Sequence, residues 1–110
     1  MKQYVPRAGD IVWLEFSPQA GHEQAGHRPA LVLSKKPYNE KTGLAIFCPI
    51  TSKVKGYPFE VVVGGKKISG AILSDQVKSL DWKARKVSYV EKVDEEILRE
   101  VIAKVSVIID

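Results

Sequence analysis

A single cysteine, Cys48, occurs in the 110 residues, so no internal disulfide can form and the chain suits a reducing compartment. No apolar run approaches the ~20 residues that a membrane-crossing helix needs, so no membrane association is expected. The start, Met1-Lys2-Gln3-Tyr4-Val5-Pro6, has no apolar segment of a secretory signal, and cytoplasm is the expected location. Histidine is scarce too, with two residues. His22 and His27 stand five apart with no second His/Cys cluster, which leaves a tetrahedral zinc set incomplete; no metal or cofactor is expected. Internal repeats, low-complexity tracts and linkers are also missing, which points to one domain over residues 1–110 with a modest core. Acidic residues are outnumbered, 13 against 17 Lys and Arg, giving a net charge of +4. Such a balance suits a polyanionic partner, nucleic acid or an acidic protein segment, although it also serves solubility alone.

What is present is mostly strand. Ile11-Val12-Trp13-Leu14-Glu15-Phe16 is β-branched, aromatic and apolar on both faces, as a buried strand requires. Leu31 to Ser34, Leu44 to Ile50, Phe59 to Val63, Gly70 to Leu73 and Val87 to Val90 read as further strands. Pro49 marks an end or irregularity in the third, and Pro29 the mouth of the second, since proline offers no amide to a ladder. Lys35 to Gly43 is too polar for a core and reads as an exposed loop. Gly64-Gly65 can supply the positive φ of a tight hairpin. Ser74 to Ser79 reads as a polar, alternating continuation of the fifth strand. Asp81 caps a helical turn through Arg85. The period then changes: with Asp94 as N-cap and a Val93–Leu98 staple, Ile97, Leu98, Val101, Ile102, Val105, Ile108 and Ile109 form one apolar helical stripe. Glu95–Arg99 and Glu100–Lys104 are acid-first pairs on its outer face. Five or six strands and one terminal helix make a mainly β domain, a small barrel or strongly bent sheet.

The polar stretch Glu23-Gln24-Ala25-Gly26-His27-Arg28-Pro29 runs directly into a buried strand. Arg28, preceding proline, is biased to an extended conformation that aims its side chain. A carboxylate, two imidazoles and a guanidinium therefore lie within seven residues, on a loop anchored by a rigid element.

Several blocks together give the chain a family likeness. Gly9-Asp10-Ile11-Val12-Trp13, Glu23-Gln24-Ala25-Gly26-His27-Arg28-Pro29-Ala30, Pro49-Ile50-Thr51, Lys55-Gly56-Tyr57-Pro58-Phe59-Glu60-Val61, Asp75-Gln76-Val77-Lys78-Ser79 and Trp82-Lys83-Ala84-Arg85 follow one another over nearly the whole sequence. In these the chain resembles the MazF/PemK family of toxin endoribonucleases. The resemblance implies a small SH3-like barrel, a homodimer, and metal-independent, sequence-specific cleavage of single-stranded mRNA. It also implies inhibition by a cognate antitoxin whose acidic, disordered tail covers the RNA site. Arg28 and Thr51 match the family's catalytic positions, with Glu23 often added, and Asp75-Gln76 matches a region used for RNA contact. His27, Ser52, Lys53, Lys55, Lys78 and Arg85 complete the candidate RNA-binding set, with Lys83 a further basic candidate.

Metal-free cleavage uses the RNA 2′-hydroxyl as nucleophile, so the protein must accept its proton, steady charge on phosphorus and protonate the 5′-oxygen. A guanidinium forks onto phosphate and keeps its charge, which fits Arg28 to the second task. Glu23 can accept the proton and Thr51 can donate its hydroxyl to a phosphate oxygen; His27 or Arg28 is left for the acid. Each has a plainer reading: Glu23 a solvated loop carboxylate, Arg28 an ion-pair partner, Thr51 a loop cap. A His22–His27 acid/base pair is a further arrangement on offer. Tyr57 can stack on bases, whereas Phe59 and Trp82 are better placed in a core. Two other functions fit the likeness: a gyrase-poisoning toxin of the same fold acting through its last helix, and an RNA-binding barrel without catalysis.

Overall fold

The computed structural model describes residues 3–16 and 26–109; His22, Glu23 and Gln24 lie outside them. The order is β1 (Asp10–Glu15), β2 (His27–Val32), α1 (Lys36–Thr42), β3 (Leu44–Thr51), β4 (Glu60–Gly64), β5 (Ser69–Leu73), a 3₁₀ turn (Ser74–Gln76), β6 (Lys78–Asp81), β7 (Ser88–Lys92) and α2 (Glu95–Ile109). Seven antiparallel strands among the described residues thus replace the five or six expected. They follow the path β4-β5-β3-β2-β1-β7, with β6 also on β3.

β3 organises the curl. One edge pairs with β2, and the other pairs first with β6 and then with β5. Between Phe47↔Lys78 and Ile50↔Ile72, β3 advances three residues while the facing chain uses six. The surplus forms the 3₁₀ turn that breaks the expected polar continuation of β5. Pro49 lies in that gap, opposite Ala30 of β2, where its missing amide deprives no second ladder. Pro29 behaves similarly: β2 begins two residues earlier, at His27, but its pairing with β3 starts only at Ala30.

Period-2 alternation across this bent sheet fills two cores. Ile11, Leu31, Cys48, Ile50, Val61, Val63 and Ile72 pack with Val93, Val101 and Val105 under α2. Val12, Leu14, Phe16, Ala30, Val32, Ala45 and Phe47 pack on the opposite face with Trp82. The result is a small SH3-like barrel, mainly β with a C-terminal helix.

Lys36 to Thr42, expected as a loop, is helical. Pro37 sits in its first turn and Gly43 ends it in the left-handed region, φ 75°. Its inward residue is Asn39, whose Nδ2 donates to the carbonyls of Pro6 (2.8 Å) and Ser34 (3.0 Å). The Trp82 indole N–H donates to the Asn39 carbonyl at 3.0 Å, so Trp82 is a core residue, as expected. Asp81 accepts the amides of Lys83 and Ala84, the cap foreseen for that turn.

The helical stripe is only partly used. Val101 and Val105 are buried and Ile97 and Leu98 half-buried, but Ile102, Ile108 and Ile109 are exposed. Arg99 pairs with Glu95 at 2.7 Å, whereas Lys104 donates to the Pro58 carbonyl, also at 2.7 Å.

Candidate active site

β2 delivers His27 and Arg28 to an open cleft of about 610 Å³. Its near wall is Trp13, His27, Arg28 and Pro29, placed by the register Trp13↔Pro29, Leu14↔Arg28 and Glu15↔His27. The His27 imidazole lies flat on the Trp13 indole, centroids 5.2 Å apart and planes within 5°. Ser52 lines the cleft just past the end of β3, and Lys67 and Ile68 of the loop before β5, with Ser69 at the start of β5, supply the far wall. Two cations, Arg28 and Lys67, therefore border one cavity.

Thr51 closes β3 and pairs with Ala71. Its side of the strand is tightly held: at Gly70 (φ +149°) a Cβ would lie 2.2 Å from the Thr51 carbonyl oxygen. The Thr51 hydroxyl accepts the Lys53 amide at 3.2 Å, so the plain loop-capping role is real, and only 8% of the residue is exposed. It lines a second groove of about 320 Å³ with Lys53, Lys55, Tyr57, Phe59, Glu60, Asp75 and Gln76. Consecutive residues thus border both cavities, Ser52 the first and Thr51 the second. The β2–β3 ladder ends at Ala30↔Pro49, with Arg28 two residues before that pair on β2 and Thr51 two residues beyond it on β3.

The floor of the groove is ordered by its own chemistry. Glu60 accepts the amides of Lys55 (3.1 Å) and Gly56 (2.9 Å), and Gly56 takes φ 80°. Phe59, expected in a core, is half-buried and stacks on exposed Tyr57 at 5.3 Å. Asp75 stands in the 3₁₀ turn beside them. Lost hydration raises its carboxyl pKa, and the charge of Glu60 adds to this, while its own backbone amide pulls the other way.

His27, Arg28 and Ser52 therefore gather at one cavity, and Thr51, Lys53, Lys55, Asp75 and Gln76 at its neighbour. Lys78, half-buried on β6 opposite Phe47, lines neither. Nor does Arg85, whose Nη1 donates to the Glu15 carbonyl at 3.0 Å while its own carbonyl accepts the Glu15 amide; it braces the turn after β6 against β1. Lys83 sits 5.5 Å above the Trp82 ring. Glu23 and His22 fall outside the described residues. Among those described, no three His, Cys, Asp or Glu group as a metal site. Sequence reasoning missed Trp13 and Lys67. Alternation gives a hint for Trp13, because Val12 and Leu14 both point into the other core. Lys67 gave no local signal.

A small curled barrel with a basic cleft and an adjoining mixed groove at the ends of β2 and β3 is the class of molecule this defines, one shaped to hold an extended polyanion. Within that class the chain belongs to the family described as the PemK-like, MazF-like toxins of type II toxin-antitoxin systems, whose model matches residues 7–109. It is 49% identical over 109 residues to the endoribonuclease toxin MazF of Escherichia coli strain K12, covering 99% of this chain and 98% of that one. Its fold matches the crystal structure of MazF from Deinococcus radiodurans with a TM-score of 0.94 at 49% identity, covering 97% and 98% of the two chains. A MazE-MazF crystal structure from the same organism matches at TM-score 0.86 and 42% identity, covering 97% of each.

Proposed function

We infer that this chain is the endoribonuclease toxin of a type II toxin-antitoxin system, cutting single-stranded mRNA at short sequences in the cytoplasm without a metal ion. The observation that supports this is 49% identity to an endoribonuclease toxin over 99% of the chain, with Arg28 lining one cavity and Thr51 lining its neighbour. The 2′-oxygen forms a bond to the adjacent phosphorus as the P–O5′ bond breaks, leaving a 2′,3′-cyclic phosphate and a 5′-hydroxyl. Arg28 forks onto the phosphoryl oxygens as charge builds there, and Thr51 donates its hydroxyl to one of them. Glu23 takes the 2′ proton. His27 or Arg28 protonates the leaving oxygen, a reading supported by both bordering the cleft. Lys53 and Lys55 follow the backbone along the groove, and Tyr57 offers a stacking face. The toxin works as a homodimer, for which the exposed apolar end of α2 (Val107, Ile108, Ile109) is suitable surface, and an antitoxin with an acidic tail occupies the basic cleft. Sedimentation of the chain, alone and with its antitoxin, reads both assemblies.

Incubation with mixed-sequence RNA in EDTA, followed by mapping of product ends, tests the chemistry. Cyclic phosphate and 5′-hydroxyl ends are expected; no cutting, or cutting only with a divalent cation, refutes it. Arg28→Ala and Thr51→Ala should each slow cleavage on the order of 10² or more, as removal of a transition-state donor does. Full activity in both variants removes them from the site.

A further inference from the structure

The loop joining β4 to β5 keeps one backbone bond for itself, from the Gly65 amide to the Ile68 carbonyl at 2.8 Å. The next three amides turn outward to a single side chain. Those of Lys66, Lys67 and Ile68 donate to the Glu91 carboxylate at 3.0, 2.9 and 2.8 Å. Successive amides converging on one carboxylate make an anion-binding nest. Gly65 passes so close that a Cβ there would lie 2.6 Å from Glu91 Oε2. β4 and β7 are the two ends of the strand path, so this contact bridges the opening of the sheet. The same loop leads straight into Lys67, Ile68 and Ser69, the cleft wall shared with Arg28 and His27.

We propose that Glu91 is a positioning residue for RNA binding: by gripping the amides of residues 66–68 it fixes the far wall of the cleft and holds Lys67 where a phosphate of the bound strand meets it. The proposal rests on the endoribonuclease reading above. Without the carboxylate three amides lose their acceptor and the loop is left to open locally, since among the described residues its own ladder ends at Gly64↔Ser69. Lys67 keeps its charge but loses its fixed place, which weakens binding of RNA more than the chemical step.

Four full-length variants test this, Glu91→Ala, Glu91→Gln, Lys67→Ala and Glu91→Ala combined with Lys67→Ala, using a single-stranded RNA oligonucleotide that spans one mapped cut site. Glu91→Ala should raise KM roughly fivefold, the scale of one surface charge contact, with kcat nearly unchanged. Glu91→Gln keeps an acceptor oxygen and should fall between it and wild type. The double variant should bind little worse than either single one, because both remove the same contact. Amide exchange at residues 66–68 should quicken in Glu91→Ala while Val61 and Val63 keep their protection. An unchanged KM in Glu91→Ala with a cutting wild type overturns this inference alone, even if the melting temperature falls. Unchanged exchange at residues 66–68 overturns it independently of any RNA. A wild type that cuts no RNA overturns the functional reading and the RNA role of Glu91 with it, leaving exchange to decide the grip itself.

Discussion

At the level of single residues, the site depends on side chains that do little for stability, held by neighbours that do a great deal. The Thr51 hydroxyl accepts the Lys53 amide, a bond worth about 0.5–1.5 kcal/mol in folding. Its position is set instead by Gly70, which admits the Thr51 carbonyl where any Cβ would collide at 2.2 Å. Gly70→Ala should therefore cost about 1–3 kcal/mol in urea unfolding, from a strained φ and a displaced strand end. It should slow RNA cleavage as well, whereas Thr51→Ala should slow cleavage with little change in the unfolding midpoint. A Gly70→Ala protein as stable and active as wild type shows that β3 and β5 tolerate separation there. Arg28 and Thr51 were singled out by the family resemblance; the apolar runs beside them placed them at strand ends, and the residues alone allowed an ion-pair partner and a loop cap. Gly64 and Gly65 were legible only as glycines. Neither takes the positive φ expected of it, and Gly65 is small because Glu91 lies against it.

Among the elements, α1 shows where pattern reading stops. A seven-residue helix that buries a single polar residue has no apolar period to detect, so Lys35 to Gly43 reads as loop. Asn39 makes it an element by joining the N-terminal arm, the end of β2 and the turn that carries Trp82. Asn39→Ala strips the donor from two carbonyls, that of Pro6 within a buried contact, and should lower unfolding free energy by about 1–3 kcal/mol. Asn39 lines neither cavity, so kcat of the folded fraction should not move. An unaltered denaturation curve contradicts the assigned role. The longer elements were plain from the start, β1 and β3 as continuous apolar runs buried on both faces and α2 as an apolar stripe at helical spacing. The stripe on α2 extends beyond what the sheet buries, leaving Ile102, Ile108 and Ile109 exposed, because apolar spacing gives the face of a helix but not how much of it is covered.

For the whole molecule the question is how a bent sheet with two ends becomes a barrel. The strand order leaves β4 and β7 at the ends, and the grip of Glu91 on residues 66–68 spans them. No sequence period encodes such a contact. It links positions 23 to 25 residues apart through one carboxylate, which is also why Lys67 could not be foreseen at the cleft. The amide of Ile68, then those of Lys67 and Lys66, together with the nearby Lys67 charge, hold the Glu91 pKa below its ordinary value, against a smaller opposing loss of hydration. The sign of the pH effect follows from linkage. A carboxylate with a lowered folded-state pKa adds stability that is complete above its unfolded value, roughly 4.3, and fades as pH falls through the folded one. Melting temperatures of wild type and Glu91→Gln should thus differ by a constant amount near neutrality and converge in acid, once wild-type Glu91 is itself protonated. A gap that stays constant down to pH ~3, below the unfolded glutamate range, shows that the charge of Glu91 is not what closes the barrel.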